Sequence, residues 1–254
     1  MAKTGISSLS VFFPAYNDAP SLPGLVEKTF AVLGGLAEDY EVIVVNDGSR
    51  DNTDQVLEEL SARFGARLRV VRHAVNRGYG GAVRSGFDAA VKEWVFYTDG
   101  DAQYDMTELP RLVEALGPGV GLVNGYKTSR SDVFYRRLIG KVYLWSVRRL
   151  FGLRVRDVDC DFRLVKRSLL EGITLESTSG TICVELVRKL QDSGCGVVEI
   201  PVRHLPRLHG RSQFFRPMSL IRSLWQLTVL WVQVFVLRKW VPASKARKFS
   251  SPAA

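Results

Sequence analysis

Cysteine is scarce, acidic residues are missing from one whole end, and long apolar sequence is confined to a single stretch. The three cysteines among 254 residues, Cys160, Cys183 and Cys195, form neither a close metal-binding pair nor an even disulfide framework. That sets aside a disulfide scaffold and points to a reducing compartment. The N-terminus has one lysine and then enters a strand-like segment, Leu9 to Phe13, without the apolar region of a signal peptide. The chemistry is therefore expected to face the cytoplasm. From Pro201 onward there is no Asp or Glu but there are ten Lys or Arg. The chain holds 35 basic and 26 acidic residues, so its first 200 are nearly neutral and the excess of +9 belongs to the C-terminal end. Such a tail suits an anionic partner, whether a phospholipid headgroup, a lipid phosphate or a nucleic acid.

What is present is a globular composition, 46% hydrophobic, enough for one α/β domain with an appendage. Short β-branched runs at Leu9–Phe13, Glu41–Val45, Leu68–Arg72, Trp94–Thr98 and Val120–Val123 read as strands. Helical patterns separate them at Leu22–Leu36, Thr53–Phe64, Gly81–Val91 and Thr107–Leu116, the second capped by Asp51 or Asn52. This alternation predicts a mostly parallel sheet covered by helices, and the polar clusters follow strands, where such sheets bind ligands.

After Gly125 the pattern changes. Phe134–Phe151 reads as a helix on which Arg137, Lys141 and Arg148 fall within about 40° of one another. A helix over Thr181–Gln191, a strand over Val197–Ile200 and a basic loop, Arg203–Arg216, follow. The last element, Met218–Trp240, contains the one long apolar run, Met218 to Leu237, with Arg222 as its single charge. Its length suits a membrane span, a buried helix or an interfacial one. Ser219, Arg222, Ser223, Gln226 and Gln233 share one narrow stripe, and Arg216 and Arg238-Lys239 flank it, which favours a helix lying in a membrane interface.

The chemistry concentrates in Asp99-Gly100-Asp101-Ala102-Gln103 at the end of the fourth strand. Carboxylates at i and i+2, with the Gln103 amide oxygen, are hard ligands suited to Mg²⁺ or Mn²⁺, which would neutralise a diphosphate as a sugar leaves it. A lone pair of this kind is usually only an Asp/Gly turn. Three further clusters follow earlier strands: Pro14-Ala15-Tyr16-Asn17, Asn46-Asp47-Gly48-Ser49, and Asn76-Arg77-Gly78-Tyr79-Gly80-Gly81. Asp47 has the chemistry to accept from a base N–H and Tyr16 to pack on a base face. The glycines permit a close backbone approach at a helix N-terminus, although a turn or cap is the better account of that cluster taken alone.

In this order the four clusters resemble the inverting GT-A glycosyltransferases, in the branch of dolichol-phosphate mannose synthases and polyprenyl-phosphate glycosyltransferases. The match runs from about Ser10 to Gln213. The resemblance implies a GT-A (Rossmann-like) α/β fold, a mostly parallel sheet flanked by helices, with a C-terminal membrane-interface helix. It divides the chain into a catalytic domain, 1–213, and a membrane-associated segment, 214–254. By the same resemblance Pro14, Tyr16, Asn17, Asp47, Asp99 and Ala102 would contact the nucleotide of a UDP- or GDP-linked sugar. Asp99, Asp101 and Gln103 would surround Mg²⁺ or Mn²⁺.

In the second half Lys127, Arg136, Asp161-Phe162-Arg163 and Arg207-Leu208-His209-Gly210-Arg211-Ser212-Gln213 stand where that branch carries acceptor-side motifs, with Lys127 in place of an Arg and Gly140 in place of a Ser. Lys127, Arg136 and Arg163 would then hold the phosphate of a polyprenyl (dolichyl-type) acceptor, and Asp99, Asp101, Arg136 and Arg207 would carry the transfer of a hexose with inversion. The expected setting is the cytoplasmic face of a membrane, with a membrane-anchoring subunit or a second copy as further partners. A sugar hydroxyl is the alternative acceptor, with Asp159 or Asp161 as general base. Glu185, among apolar helix neighbours, is expected to pair structurally with a loop arginine. Nucleic-acid binding is set aside, because the C-terminal arginines are interleaved with Leu, Trp and Val in apolar helices.

Overall fold

The computed structural model describes residues 5–128, 134–207 and 217–237. Its centre is a seven-stranded sheet in the order β3-β2-β1-β4-β6-β5-β7. The strands are β1 (Ile6–Ala15), β2 (Ala37–Asn46), β3 (Leu68–Arg72), β4 (Trp94–Thr98), β5 (Val120–Lys127), β6 (Phe162–Lys166) and β7 (Gly196–Val202). Six run in one direction, and β6 opposes both of its neighbours.

Alternation along each strand loads both faces of the sheet. Leu9, Val11 and Phe13 of β1, with Val42, Val44 and Phe96, pack beneath α1 (Leu22–Leu33), α2 (Thr53–Phe64) and α4 (Leu109–Glu114). Phe12, Ile43, Val45, Val95 and Tyr97 point the other way. They meet α3 (Tyr79–Ala89), α5 (Phe134–Phe151), α7 (Thr181–Asp192) and α8 (Pro217–Trp231), while α6 (Arg167–Leu170) is a single turn after β6.

The expected strands are present, with β1, β2, β5 and β7 longer than their apolar cores suggested. Of the two candidates Asn52 is the N-cap of α2, and Asp51 just before it steadies the first turn, its Oδ1 accepting from the N–H of Thr53 (3.1 Å) and from its hydroxyl (2.6 Å). The pattern over Thr107–Leu116 resolves into a 3₁₀ turn, Met106–Glu108, and the shorter α4. The strand that sequence reading missed is β6. Its sequence, Phe-Arg-Leu-Val-Lys, is short and cationic, and its order comes from being clamped between β4 and β5.

Part of the polar stripe of the C-terminal helix is turned to the protein: the Gln226 and Gln233 side chains bond to residues 176, 178 and 179, and the Ser223 carbonyl accepts from the Thr181 hydroxyl. Leu227 and Leu230 on that side enter the same core cluster as Phe12 and Val83. The outer face is left to Met218, Ile221, Leu224 and Trp225, all largely exposed. Residues Val232–Val236 continue as a π-helical turn, and the expected extension to Trp240 lies outside the described residues. Among the described residues no helix is long and apolar enough to cross a membrane.

Candidate active site

Parallel β1, β2, β3 and β4 deliver their C-terminal loops to one edge of the sheet. Because β6 is antiparallel, its N-terminal end reaches the same edge. Pairing of Thr98 with Phe162 and Tyr97 with Arg163 sets Asp161 next to the Asp99 turn. Gly100 sits so close to the first strand that a Cβ there would stand 2.8 Å from the Pro14 carbonyl oxygen, to which its N–H donates at 3.2 Å. Only glycine lets the Asp99–Asp101 turn tuck against β1 in this way.

The two carboxylates have different surroundings. Asp99 Oδ1 accepts from the Tyr79 hydroxyl at 2.8 Å. Burial pushes this carboxyl well above the ordinary carboxylate range, and Asp161 and Asp101 push it further. Asp101 is also raised, by burial first, against the opposing pull of Arg207, which bonds its Oδ2. Its Oδ1 accepts from the Gln103 N–H at 3.0 Å. Burial and mutual repulsion thus disfavour charge on these two carboxyls, a penalty that a divalent cation bound between them would relieve. Among the described residues no three His, Cys, Asp or Glu form a ready cage. Cations such as Mg²⁺ are commonly held by one or two carboxylates together with substrate phosphates, a demand that Asp99 and Asp101 fit. The Gln103 side-chain nitrogen donates to the Leu205 carbonyl at 2.9 Å, stitching residues 203–207 to this turn.

On the other side of β1 the loops are laced together. Asn17 adopts φ +59°, its N–H donates to Ser49 Oγ (3.0 Å), and its Oδ1 accepts from the Arg50 N–H (2.7 Å). Its side chain therefore joins two loops. Asp47 Oδ1 accepts from the Arg77 N–H (2.8 Å) and lies 2.6 Å from His73 Nδ1, whose Nε2 is 2.9 Å from Ser85 Oγ. Tyr16 is partly exposed beside them, Pro14 is buried, and Ala102 takes φ +57° in the turn after Asp101. Asp18 accepts from the Tyr16 N–H at 3.0 Å, and burial raises its carboxyl to about 6.

On the acceptor side Lys127 ends β5. Its Nζ donates to the Asp159 carbonyl at 2.7 Å. Burial lowers its affinity for the proton, but Asp157, Cys160, Asp159 and Asp161 outweigh that and hold it cationic. Arg163 departs from expectation. It is fully buried, with Nε bonded to Asn124 (2.7 Å), Nη1 to Tyr97 and Asp161, and Nη2 to the Val158 carbonyl. Every nitrogen is engaged beneath the site, so Arg163 organises Asp161 rather than facing an acceptor. Asp161 Oδ1 also accepts from Cys183 Sγ at 3.1 Å. Arg136 lies on α5 with its side chain, like those of Arg137 and Lys141, outside the described residues, as are residues 208–216.

The glycine cluster has a purpose other than ligand approach. Cβ atoms at Gly78 and Gly80 would stand 2.5 and 2.2 Å from the carbonyl oxygens of Thr178 and Ser177, so these glycines receive a protein loop. Glu185 is structural as expected, but its partner is Lys189 (2.7 Å) rather than an arginine. Sequence reading missed His73, Tyr79 and Asp18. His73 directly follows a strand on the ligand-binding edge, which was the available signal; Tyr79 was hidden among the glycines that surround it.

Comparison with known proteins agrees with this geometry. Residues 10–174 match the family described as Glycosyl transferase family 2. The undecaprenyl-phosphate 4-deoxy-4-formamido-L-arabinose transferase of Aeromonas hydrophila is 31% identical over 229 residues, covering 89% of this chain and 68% of that protein. The enzyme of the same description from Pseudomonas fluorescens is 33% identical over 224 residues, covering 87% of this chain and 64% of its own length. The chain thus spans about two thirds of these curated relatives. Among solved structures, glucosyl-3-phosphoglycerate synthase from Mycobacterium tuberculosis, in complex with Mn²⁺, UDP and glucosyl-3-phosphoglycerate, superposes with TM-score 0.66 at 20% identity, covering 91% of this chain and 81% of that one. That likeness establishes the fold.

Proposed function

The chain belongs to glycosyl transferase family 2, and from that premise we propose that it transfers a sugar from a UDP- or GDP-linked donor to a polyprenyl phosphate at the cytoplasmic face of a membrane. The observation that carries the reading is the pair of half-buried Asp99 and buried Asp101, both with raised carboxyl pKa, on the edge where Asp47, Tyr16 and Lys127 also converge. The relatives' names supply the acceptor class, undecaprenyl phosphate, and an arabinose derivative as sugar. The donor panel therefore has to contain that sugar class beside the hexoses suggested by sequence.

In this reading Asp47, held by His73 and the Arg77 N–H through Oδ1, presents its carboxylate to the base, and Tyr16 packs against it. Asp99 and Asp101 would hold Mg²⁺ or Mn²⁺, whose chemistry there is to neutralise charge growing on the departing diphosphate. Arg207, now on Asp101, is placed to serve the same diphosphate. Lys127, kept protonated by its acidic neighbours, would bind the acceptor phosphate, and Arg136 is proposed as a second cation for it. A phosphate monoester with second pKa near ~6 is largely dianionic at neutral pH, so no side chain has to remove a proton. Displacement from the face opposite the diphosphate inverts the anomeric centre. Asp161, tied to a buried guanidinium, is poorly placed as a base, which supports the phosphate over the hydroxyl acceptor.

The segment from residue 214 is assigned to membrane contact. Trp225, Leu224, Ile221 and Met218 on α8, and Trp145 and Val142 on α5, stand largely exposed, and the C-terminal end carries no acid. The deciding experiment incubates the purified chain with UDP- and GDP-sugars, undecaprenyl phosphate and Mn²⁺ or Mg²⁺, and scores the glycolipid by mass spectrometry. Transfer to a soluble sugar hydroxyl but never to the lipid phosphate would overturn the reading.

A further inference from the structure

Helix α8 is wired to the Asp99 turn through a loop. Gln226 spends its whole side chain on residues 178 and 179. Its Oε1 accepts from the N–H groups of Thr178 (3.1 Å) and Ser179 (3.0 Å) and from the Ser179 hydroxyl (2.8 Å). Its Nε2 donates to Thr178 Oγ1 at 2.6 Å. The Ser223 carbonyl accepts from the Thr181 hydroxyl (3.3 Å), and Gln233 donates to Glu176 (3.1 Å), so α8 grips the loop at both ends. From below, Glu185 accepts the N–H groups of Glu176 and Ser177, each at 2.9 Å.

The far side of this loop meets the start of α3. The Thr178 carbonyl accepts from the Gly80 N–H at 3.1 Å. Gly78 and Gly80 approach the loop more closely than any Cβ would allow. Between those glycines stands Tyr79, whose hydroxyl donates to Asp99 Oδ1 at 2.8 Å. We propose that Gln226 and Tyr79 are positioning residues of one relay: α8 fixes residues 176–180, that loop fixes the first turn of α3, and α3 presents the hydroxyl that orients Asp99. The relay rests on the reading of Asp99 as a ligand of a divalent cation. Groups that orient a metal ligand without touching the metal commonly matter about tenfold or more in metal affinity.

The test uses the full chain in the lipid-transfer assay with Mn²⁺ titrated, alongside Mn²⁺ binding in the presence of nucleoside diphosphate, followed by the electron paramagnetic resonance of the free ion. Tyr79→Phe and Gln226→Leu should each raise half-saturating Mn²⁺ about tenfold, while turnover at saturating Mn²⁺ stays within about twofold of the parent. Gln226→Glu keeps an oxygen for the Thr178 and Ser179 N–H groups and should recover most of the loss. The Tyr79→Phe/Gln226→Leu double variant should be little worse than either single one, because both cut the same line. Thr228→Ala, at a hydroxyl that donates to the Leu224 carbonyl of its own helix, is the control and should leave Mn²⁺ dependence unchanged. Multiplying effects in the double variant, or lower melting temperatures with unchanged Mn²⁺ half-saturation, would overturn the relay alone. A parent protein that transfers sugar without Mn²⁺ or Mg²⁺ would instead remove Asp99 as a metal ligand, and the relay with it.

Discussion

Residues 14–103 and residues 127–237 reach the same edge of the sheet, but they are built on different terms. In the first region each loop is bonded to the next: Asn17 to Ser49 and Arg50, Asp47 to His73 and the Arg77 N–H, Gly100 to Pro14. These contacts are short in space, and they hold polar groups in place before any ligand arrives. In the second region a buried ion pair, Asp161 with Arg163, and a cationic Lys127 lie beneath helices whose outer faces expose Trp145 and Trp225, each more than two thirds accessible. The contrast fits the two ligand classes proposed above. A small polar donor is served by fixed hydrogen-bonding groups, whereas an amphiphilic acceptor needs a charge at the end of an open apolar surface.

The largest effect that separates the two regions is expected at the turn between them. Asp101→Asn should lower transfer roughly 10²- to 10³-fold, a loss typical of removing one electrostatic stabiliser, with little change in thermal stability because the carboxyl is costly to bury when charged. Product formation together with a melting curve checks it, and near-parental turnover with a chelator present would break the assignment. Next, Lys127→Ala should raise the acceptor KM about ten- to a hundredfold and leave the donor KM within about twofold. Initial rates with each substrate varied in turn decide this; a donor-side change of equal size would erase the boundary between the regions.

A mirror-image result is expected for His73→Ala. Loss of the 2.6 Å contact that sets Asp47 should raise the donor KM about tenfold and spare the acceptor KM. On the outer face, Trp145→Glu with Trp225→Glu should weaken co-sedimentation with phosphatidylglycerol vesicles about tenfold or more, without lowering binding of nucleoside diphosphate. Unchanged co-sedimentation would exclude this face as the membrane contact.

The smallest effect concerns stability on the donor side. Burial raises Asp18 from 3.8 to about 6, with Asp101 and Asp51 contributing and the Tyr16 N–H and Arg207 opposing. A carboxyl that is more basic in the folded state stabilises the fold at low pH, and that contribution is lost as pH rises through about 6. Asp18→Asn, neutral throughout, should therefore be more stable to unfolding than the parent at pH 8 by about 1 to 2 kcal/mol and nearly equally stable at pH 4, as measured by denaturant unfolding. An equal difference at both pH values would place the effect in the Tyr16 hydrogen bond rather than in the charge.

Much of the donor region was legible in sequence because its signals are local. The strands Leu68–Arg72 and Trp94–Thr98 and the helix Thr53–Phe64 match their expected bounds, since β-branched alternation and the polar Asp51-Asn52 helix start act within a few residues. The clusters at Asp47 and Asp99 were visible as polar runs after strands. His73 was not singled out, because its partners Asp47 and Ser85 lie 26 and 12 residues away. In the acceptor region the reading went further astray. Arg163 was expected to hold the acceptor phosphate, yet it is fully buried, and the Asn124, Tyr97 and Asp161 side chains with the Val158 carbonyl around it make that burial tolerable.

The sequence by itself determined the α/β alternation, the order of the ligand-binding loops and the one-sided charge of the C-terminal end, because each follows from residue type and short-range periodicity. Tertiary structure decided what those elements face. An antiparallel β6 brought Asp161 beside Asp99, and the Gln226 and Gln233 side chains of the C-terminal helix turned inward to bond residues 176, 178 and 179. The physical reason is the same in both cases. A hydrogen-bonding side chain is satisfied equally by water or by protein, so its own sequence carries no sign of which; the choice is made by the backbone groups of another segment that need a partner when the two pack together.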